Sequence, residues 1–340
     1  AIEKKAFESI RQGNLKDGEK IYRELIQKGS QNHVVYANLA ALCGMRGNNI
    51  EMIEYLNKAL VIKPDFMQAH INLGVALKGQ GDIKAAIASY KKALELNPNM
   101  PLVLFKLGIA LKEKGDLEDS ILLFRKAIKI MPGNPQFYYN LGISLYKKGD
   151  YTAAIKSYKE TLKLRSNFPE ALNNLGIALK DKGDLKSAII SFQKALNLNP
   201  NYLEAYFNLG NAFKAQDNLI ASIASYKKVL DINSKFSAAH ANLANALHAF
   251  GDIKAAISSY KKAIKLNPNV PEVHTNFSYA LLLNNEYSQG WLEHEYRSKK
   301  RQSPSNPHAK PNIQKWKGEE LKAGEKLLIV SEQGFGDSIQ

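Results

Sequence analysis

The chain has 340 residues, 45% of them hydrophobic and 23% charged, which is the apolar content of a folded protein and not of a disordered one. Lys and Arg exceed Asp and Glu by 15, a balance that raises anionic partners as a question. No apolar run approaches the roughly 18 residues of a membrane-spanning helix, and a lone cysteine, Cys43, excludes an intrachain disulfide and Cys-rich zinc sites. The chain opens at Ala1 without an initiator Met or a signal-like apolar segment, so a trimmed chain and a cytoplasmic location are the expectations. The last 38 residues are neutral, with five basic and five acidic side chains, so the excess charge lies in residues 1–302.

A period of 34 residues organises those 302 residues. Leu-Gly recurs at Leu73-Gly74, Leu107-Gly108, Leu141-Gly142, Leu175-Gly176 and Leu209-Gly210. Leu39-Ala40 precedes these pairs in register, and Leu243-Ala244 and Phe277-Ser278 follow them. Gly-Asp keeps the same step from Gly81-Asp82 to Gly251-Asp252, with Asp217-Asn218 in one place. An aromatic keeps it at Tyr90, Phe124, Tyr158, Phe192, Tyr226 and Tyr260.

In chain order, residues 1–32 read as a partial unit, since Gly13-Asn14 and Tyr22 are in register but the first turn is not. Full units follow at 33–66, 67–100, 101–134, 135–168, 169–202, 203–236 and 237–270, and a degenerate one at 271–302, where Gly290 stands for the small Ala. Each full unit predicts two helices. In 67–100, His70, Leu73, Gly74 and Leu77 share one helical face. Gly81 can take φ > 0 and stop that helix, and Asp82 can cap the next. Ile83, Ala86, Ile87, Tyr90, Ala93 and Leu94 line the second helix, and Pro98 prevents its continuation. Small residues let the helices approach, with Tyr90 beside them.

These offsets resemble the tetratricopeptide repeat, a 34-residue helix–turn–helix unit. The resemblance implies an all-α, right-handed α-solenoid whose first helices line an extended concave face for another chain.

The residue before each Leu-Gly position reads Asn38, Asn72, Lys106, Asn140, Asn174, Asn208, Asn242 and Asn276. Asparagine is a mediocre helix former, so its recurrence in mid-helix asks for a reason. Its amide can bond the backbone of an extended peptide without reading side chains. Two other readings stay open: the amides bridge adjacent helices or meet water, or duplication copied them. The column resembles the asparagine ladder in the repeat domain of O-linked N-acetylglucosamine transferases, which implies that it holds peptide backbone. Lys106 departs from that pattern.

Six residues after the Asn stand Lys78, Lys112, Tyr146, Lys180, Lys214 and His248. Four lysines on an inner stripe favour acidic segments of a protein ligand, or are a solvated helix face. The pairs Lys91-Lys92, Lys147-Lys148, Lys227-Lys228 and Lys261-Lys262 fall mostly on the second helix beside the buried aromatic and read as the solvated convex side. No zinc-finger spacing, RNA-binding signature or basic arm supports a nucleic acid partner, and a membrane partner is not expected.

The period stops after residue 302. Residues 303–325, with Pro304, Pro307 and Pro311, read as a linker. Lys326-Leu327-Leu328-Ile329-Val330 suits a buried strand, and Gly334, Gly336 and Asp337 form a Gly-rich turn after it. With Gly290-Trp291, Glu295-Tyr296-Arg297 and Trp316, this order resembles the junction in bacterial repeat proteins that continue into a glycosyltransferase-like domain. That resemblance implies a nucleotide sugar for a longer protein, with 326–340 as the start of a truncated α/β domain. A stand-alone adaptor, self-associating as a homo-oligomer, is the alternative.

No grouping of nucleophile, base and orienting residue emerges, so the chain is expected to have no catalytic residue, metal site or cofactor of its own. His70, His240 and His274 share one repeat position and read as packing residues, as does Cys43.

Overall fold

The structure is a computed structural model and describes residues 2–296. Eighteen helices, and no strand, follow one another among the described residues. α1 (Ile2–Arg11) and α2 (Leu15–Gln27) form the first hairpin, so the N-terminal segment is helical where the sequence pattern is incomplete. Then come α3 (His33–Met45) with α4 (Asn49–Ile62), α5 (Met67–Gly79) with α6 (Ile83–Leu96), and α7 (Pro101–Lys114) with α8 (Leu117–Ile130). α9 (Pro135–Lys147) pairs with α10 (Tyr151–Leu164), α11 (Pro169–Asp181) with α12 (Leu185–Leu198), and α13 (Leu203–Ala215) with α14 (Leu219–Ile232). α15 (Ser237–Phe250) with α16 (Ile253–Leu266), and α17 (Pro271–Leu283) with the short α18 (Tyr287–His294), complete the series.

The hairpins are held by a glycine against an aromatic ring. Tyr90, Phe124, Tyr158, Phe192, Tyr226 and Tyr260 are each at most 1% exposed. A Cβ built on Gly74, Gly108, Gly142, Gly176 or Gly210 would stand 2.5–2.7 Å from the ring sixteen residues on, closer than any real contact. Glycine therefore lets the first helix lie directly on the ring of the second. Ala86, Ala154, Ala188 and Ala256, fully buried on the second helices, allow the same close approach.

The turns follow from local chemistry. Gly183 has φ +94°, a conformation in which a Cβ is strained. Asp217 takes that place in α13–α14 and still reaches φ +61°. The side chains of Asp82, Asp150, Asp184 and Asp252, and of Asn48 and Asn218, accept a backbone N–H three residues on at 2.9–3.2 Å. Asp116 does not cap its helix. Its carboxylate is drawn to Lys114 Nζ at 2.8 Å instead.

Each helix packs on the next, and neighbouring first helices also touch: α3 on α5, α7 on α9, α9 on α11, α11 on α13, α13 on α15 and α15 on α17. No pair of neighbouring second helices meets to that extent. The first helices therefore form the inner side of an all-α solenoid, and the second helices its outer side.

Gly176→Ala should lower unfolding stability by about 1–3 kcal/mol through overpacking against Phe192. Gly133→Ala, with nothing within 4 Å of a built Cβ, should leave it unchanged or slightly raised. Urea denaturation of both variants makes the comparison.

Candidate functional site

The asparagine column lies on the inner helices and is hydrogen-bonded from unit to unit. Asn38 Nδ2 donates to the Tyr22 hydroxyl on α2 at 2.9 Å. Asn174 Nδ2 donates to the Tyr139 hydroxyl on α9 at 3.1 Å, and Asn208 Nδ2 to Asn173 Oδ1 on α11 at 3.0 Å. Asn242 Nδ2 donates to Asn211 Oδ1 on α13 at 3.0 Å, and Asn276 Nδ2 to Asn245 Oδ1 on α15 at 3.1 Å. In those two units the core ring joins in, because Tyr226 and Tyr260 donate to the same oxygens at 2.7 and 2.6 Å. Burial pushes the Tyr226 phenol up to about 12, so it stays a neutral donor at ordinary pH. A bridge donated by Nδ2 to the unit before is thus present for five of the seven asparagines.

Asn72 and Asn140 behave differently. Asn72 Oδ1 accepts from Gln68 Nε2 at 2.9 Å on its own helix. Asn140 is buried, donates to the Gln136 carbonyl at 3.0 Å and accepts from Lys112 Nζ at 2.6 Å. Asn38, Asn174, Asn208, Asn242 and Asn276 are half-buried, and their Oδ1 atoms enter no hydrogen bond among the described residues. The column offers a row of acceptors whose orientation is set by the donor bond on the other side of each amide.

The lysine stripe is partly neutralised. Lys78 Nζ pairs with Glu113 on α7 at 2.9 Å, and Lys180 Nζ with Asp181 at 2.8 Å. Asp181 also accepts from the Tyr146 hydroxyl at 2.5 Å. Burial works against that carboxylate, but Lys180 and Tyr146 outweigh it and hold its pKa below the usual range. Lys112 reaches only the Asn140 amide, and burial, then repulsion from Lys147, push its ammonium below the usual lysine range. Lys214 is exposed, while His248 is half-buried.

The remaining candidates are structural. The Nε2–H groups of His70, His240 and His274 donate to the carbonyls of Pro64, Ser234 and Pro268 at 2.8–3.0 Å, tying each first helix to the loop before it. His274 Nδ1 also meets Glu293 on α18. Cys43 is fully buried 3.2 Å from Glu51 Oε2, and burial followed by that contact pushes its thiol up, away from the reactive thiolate. No described cluster of His, Cys, Asp and Glu could hold a metal ion, and no described helix is long and apolar enough to cross a membrane. Gly290 packs under Leu282 and Trp291 is half-exposed. Gly334, Gly336, Asp337 and the expected linker and strand lie outside the described residues.

The partners of the column, Tyr139, Asn173, Asn211 and Asn245, were not singled out by the sequence pattern. The Asn211 and Asn245 pair, 34 residues apart and three after Asn208 and Asn242, is the signal that could have found two of them.

Models of the TPR repeat match residues 77–115, 110–149, 144–183 and 178–217, and models of the tetratricopeptide repeat match 203–236 and 237–270. Together they span more than half of the chain, which belongs to the tetratricopeptide repeat family. Among solved structures, it is similar to the C-terminal part of a TPR repeat-containing protein from Cytophaga hutchinsonii, at 16% identity and a TM-score of 0.60 over 71% of this chain and 99% of that one. It is also similar to a tetratricopeptide repeat protein from Parabacteroides merdae, at 16% identity and 0.57 over 74% and 100%. Similarity to the APC/C hetero-tetramer Cut9–Hcn1, at 19% identity and 0.54, covers 82% of this chain and 55% of that one. At these identities the likeness is one of fold. No curated protein matches the sequence.

A double-mutant cycle on Asn173→Ala and Asn208→Ala should return a coupling of about 0.5–1.5 kcal/mol in unfolding stability, the net worth of one hydrogen bond between units. Additive losses would mean that the two amides do not bridge.

Proposed function

We propose that the solenoid is a protein-interaction scaffold that holds an extended peptide along its inner face. The observation that carries this reading is the row of Oδ1 acceptors at Asn38, Asn174, Asn208, Asn242 and Asn276, each aimed by an amide bond to the unit before it. An extended peptide has a backbone N–H at every residue but proline, so such a row grips main chain whatever the side chains. Lys112 and Lys214 add positive charge for acidic side chains of the peptide, whereas Lys78 and Lys180 are committed to carboxylates of the chain itself. The resemblance of the column to the O-linked N-acetylglucosamine transferase ladder supports the same reading.

In its finer form, the scaffold is the recognition arm of a glycosyltransferase-like protein that uses a nucleotide sugar. The support is the order Gly290-Trp291, Trp316, then Leu327 to Asp337 in the sequence. A native gene product no heavier than these 340 residues would sink that form and leave the scaffold as an adaptor.

The scaffold is tested with peptides selected on the wild-type chain from a displayed random library. Replacing Asn174, Asn208, Asn242 and Asn276 together by Ala should weaken those peptides about tenfold or more while helical circular dichroism persists. Undiminished binding by a folded variant would remove the acceptor row from the function.

A further inference from the structure

The excess positive charge of the chain is sorted by face. The second helices from α6 to α16 carry seventeen Lys and Arg against five Asp and Glu. The first helices from α5 to α17 carry seven against five.

Two columns at the 34-residue step concentrate it. One is Lys91, Arg125, Lys159, Lys227 and Lys261, broken at Gln193. The other is Lys92, Lys126, Lys194, Lys228 and Lys262, broken at Glu160. All ten cationic side chains are exposed. Lys92 pairs with Glu95 at 2.8 Å and Lys228 with Asp231 at 3.6 Å, within one helix and more than 60% exposed, where such pairs are weak. The other eight enter no ion pair among the described residues. The inner face differs, because Lys78, Lys180 and Lys112 are drawn to Glu113, Asp181 and Asn140, which leaves Lys214 of that stripe unpaired among the described residues.

Like charges kept side by side along one outer surface repel one another, and an anionic chain laid over them removes that repulsion. We infer that the outer face is a second binding surface, which takes a flexible acidic polypeptide segment rich in Glu and Asp. Neighbouring second helices lie about 10 Å or more apart, so the six span at least roughly 50 Å, the reach of an extended segment of about 15 residues or more. About half of its side chains face the protein, so such a segment brings roughly one carboxylate to each unit, against the two cations that stand there. Nucleic acid fits less well. Single strands are held by stacking on aromatic rings, and the exposed aromatics among the described residues, Phe7, Phe250, Tyr279, Tyr287 and Trp291, all lie off these second helices. A straight duplex or a flat membrane meets a convex surface only along a narrow contact, whereas a flexible chain follows its curve.

The test uses the whole chain and a fluorescent 20-residue peptide of alternating Glu and Asp, read by anisotropy at low and near-physiological salt. Binding should be salt-sensitive and fall about tenfold or more when Lys91, Lys92, Lys227, Lys228, Lys261 and Lys262 are all replaced by Gln. These positions are solvent-exposed, so helical circular dichroism should stay unchanged. Zero-length carbodiimide coupling should join peptide carboxylates to the outer lysines in mass-spectrometric maps. Coupling confined to Lys78, Lys112, Lys180 and Lys214, or undiminished binding by the outer variant, would overturn the inference. So would tighter binding of a single-stranded oligonucleotide or of phosphatidylserine vesicles than of the peptide. The Asn174, Asn208, Asn242 and Asn276 variant should bind this peptide as the wild type does, so failure of the inner-face reading and failure of this one are separately visible.

Discussion

The contact between a small residue of the first helix and the large side chain sixteen residues later sets the angle of the hairpin, and in five units it is a glycine on an aromatic ring. Where the glycine is present the ring lies on bare backbone, and the two helices of a unit become one rigid piece. The ends of the series show how the contact adapts. In the first full unit Ala40 and Leu56 occupy the two places, and both are fully buried. In the last unit they are Ser278 and His294, and the apolar contact becomes a hydrogen bond of 3.1 Å between Ser Oγ and the ring Nδ1. A small residue under a large one is therefore the requirement, and glycine under tyrosine or phenylalanine its commonest solution here.

Once the hairpin is fixed, the two faces of the solenoid cannot be alike. First helices are brought together and second helices are spread apart. Crowding on the inside puts side chains of successive units within bonding distance, so charges and amides there find partners in the protein. On the outside, successive cations stand in water, and no neighbour from the next unit comes near enough to pair with them. The difference in pairing between Lys78, which meets Glu113 of the next unit, and Lys91 or Lys261 is a result of geometry acting on similar residues.

The hairpins were legible in the sequence because each depends on contacts within one period. The leucine, small residue, aromatic and cap all recur at 34. The bridges between units were not, because they do not fall on that step. Tyr139 to Asn174, Asn173 to Asn208, Lys78 to Glu113 and Tyr146 to Asp181 are all 35 apart. Asn211 to Asn242 and Asn245 to Asn276 are 31 apart, and Lys112 to Asn140 is 28. These separations differ by three or four residues, one helical turn. Neighbouring first helices run side by side with a stagger of about one residue, so partners occur at 35 and at whole turns below it. A search for identical residues at 34 finds the column and passes over what the column is bonded to.

That stagger also decides what the asparagines can offer. An amide has two N–H donors and an acceptor oxygen, and the bridge to the previous unit takes one of the donors. The sequence resemblance leaves the whole amide open to a ligand, whereas the structure leaves the oxygen and one N–H. A ligand gripped by those oxygens must present N–H groups, as an extended backbone does along its whole length. Acidic side chains cannot satisfy those oxygens, since a carboxylate is itself an acceptor. Main chain and acidic charge are thus separate demands met by different groups: the oriented amides where the helices crowd, and cations that are most numerous where they diverge.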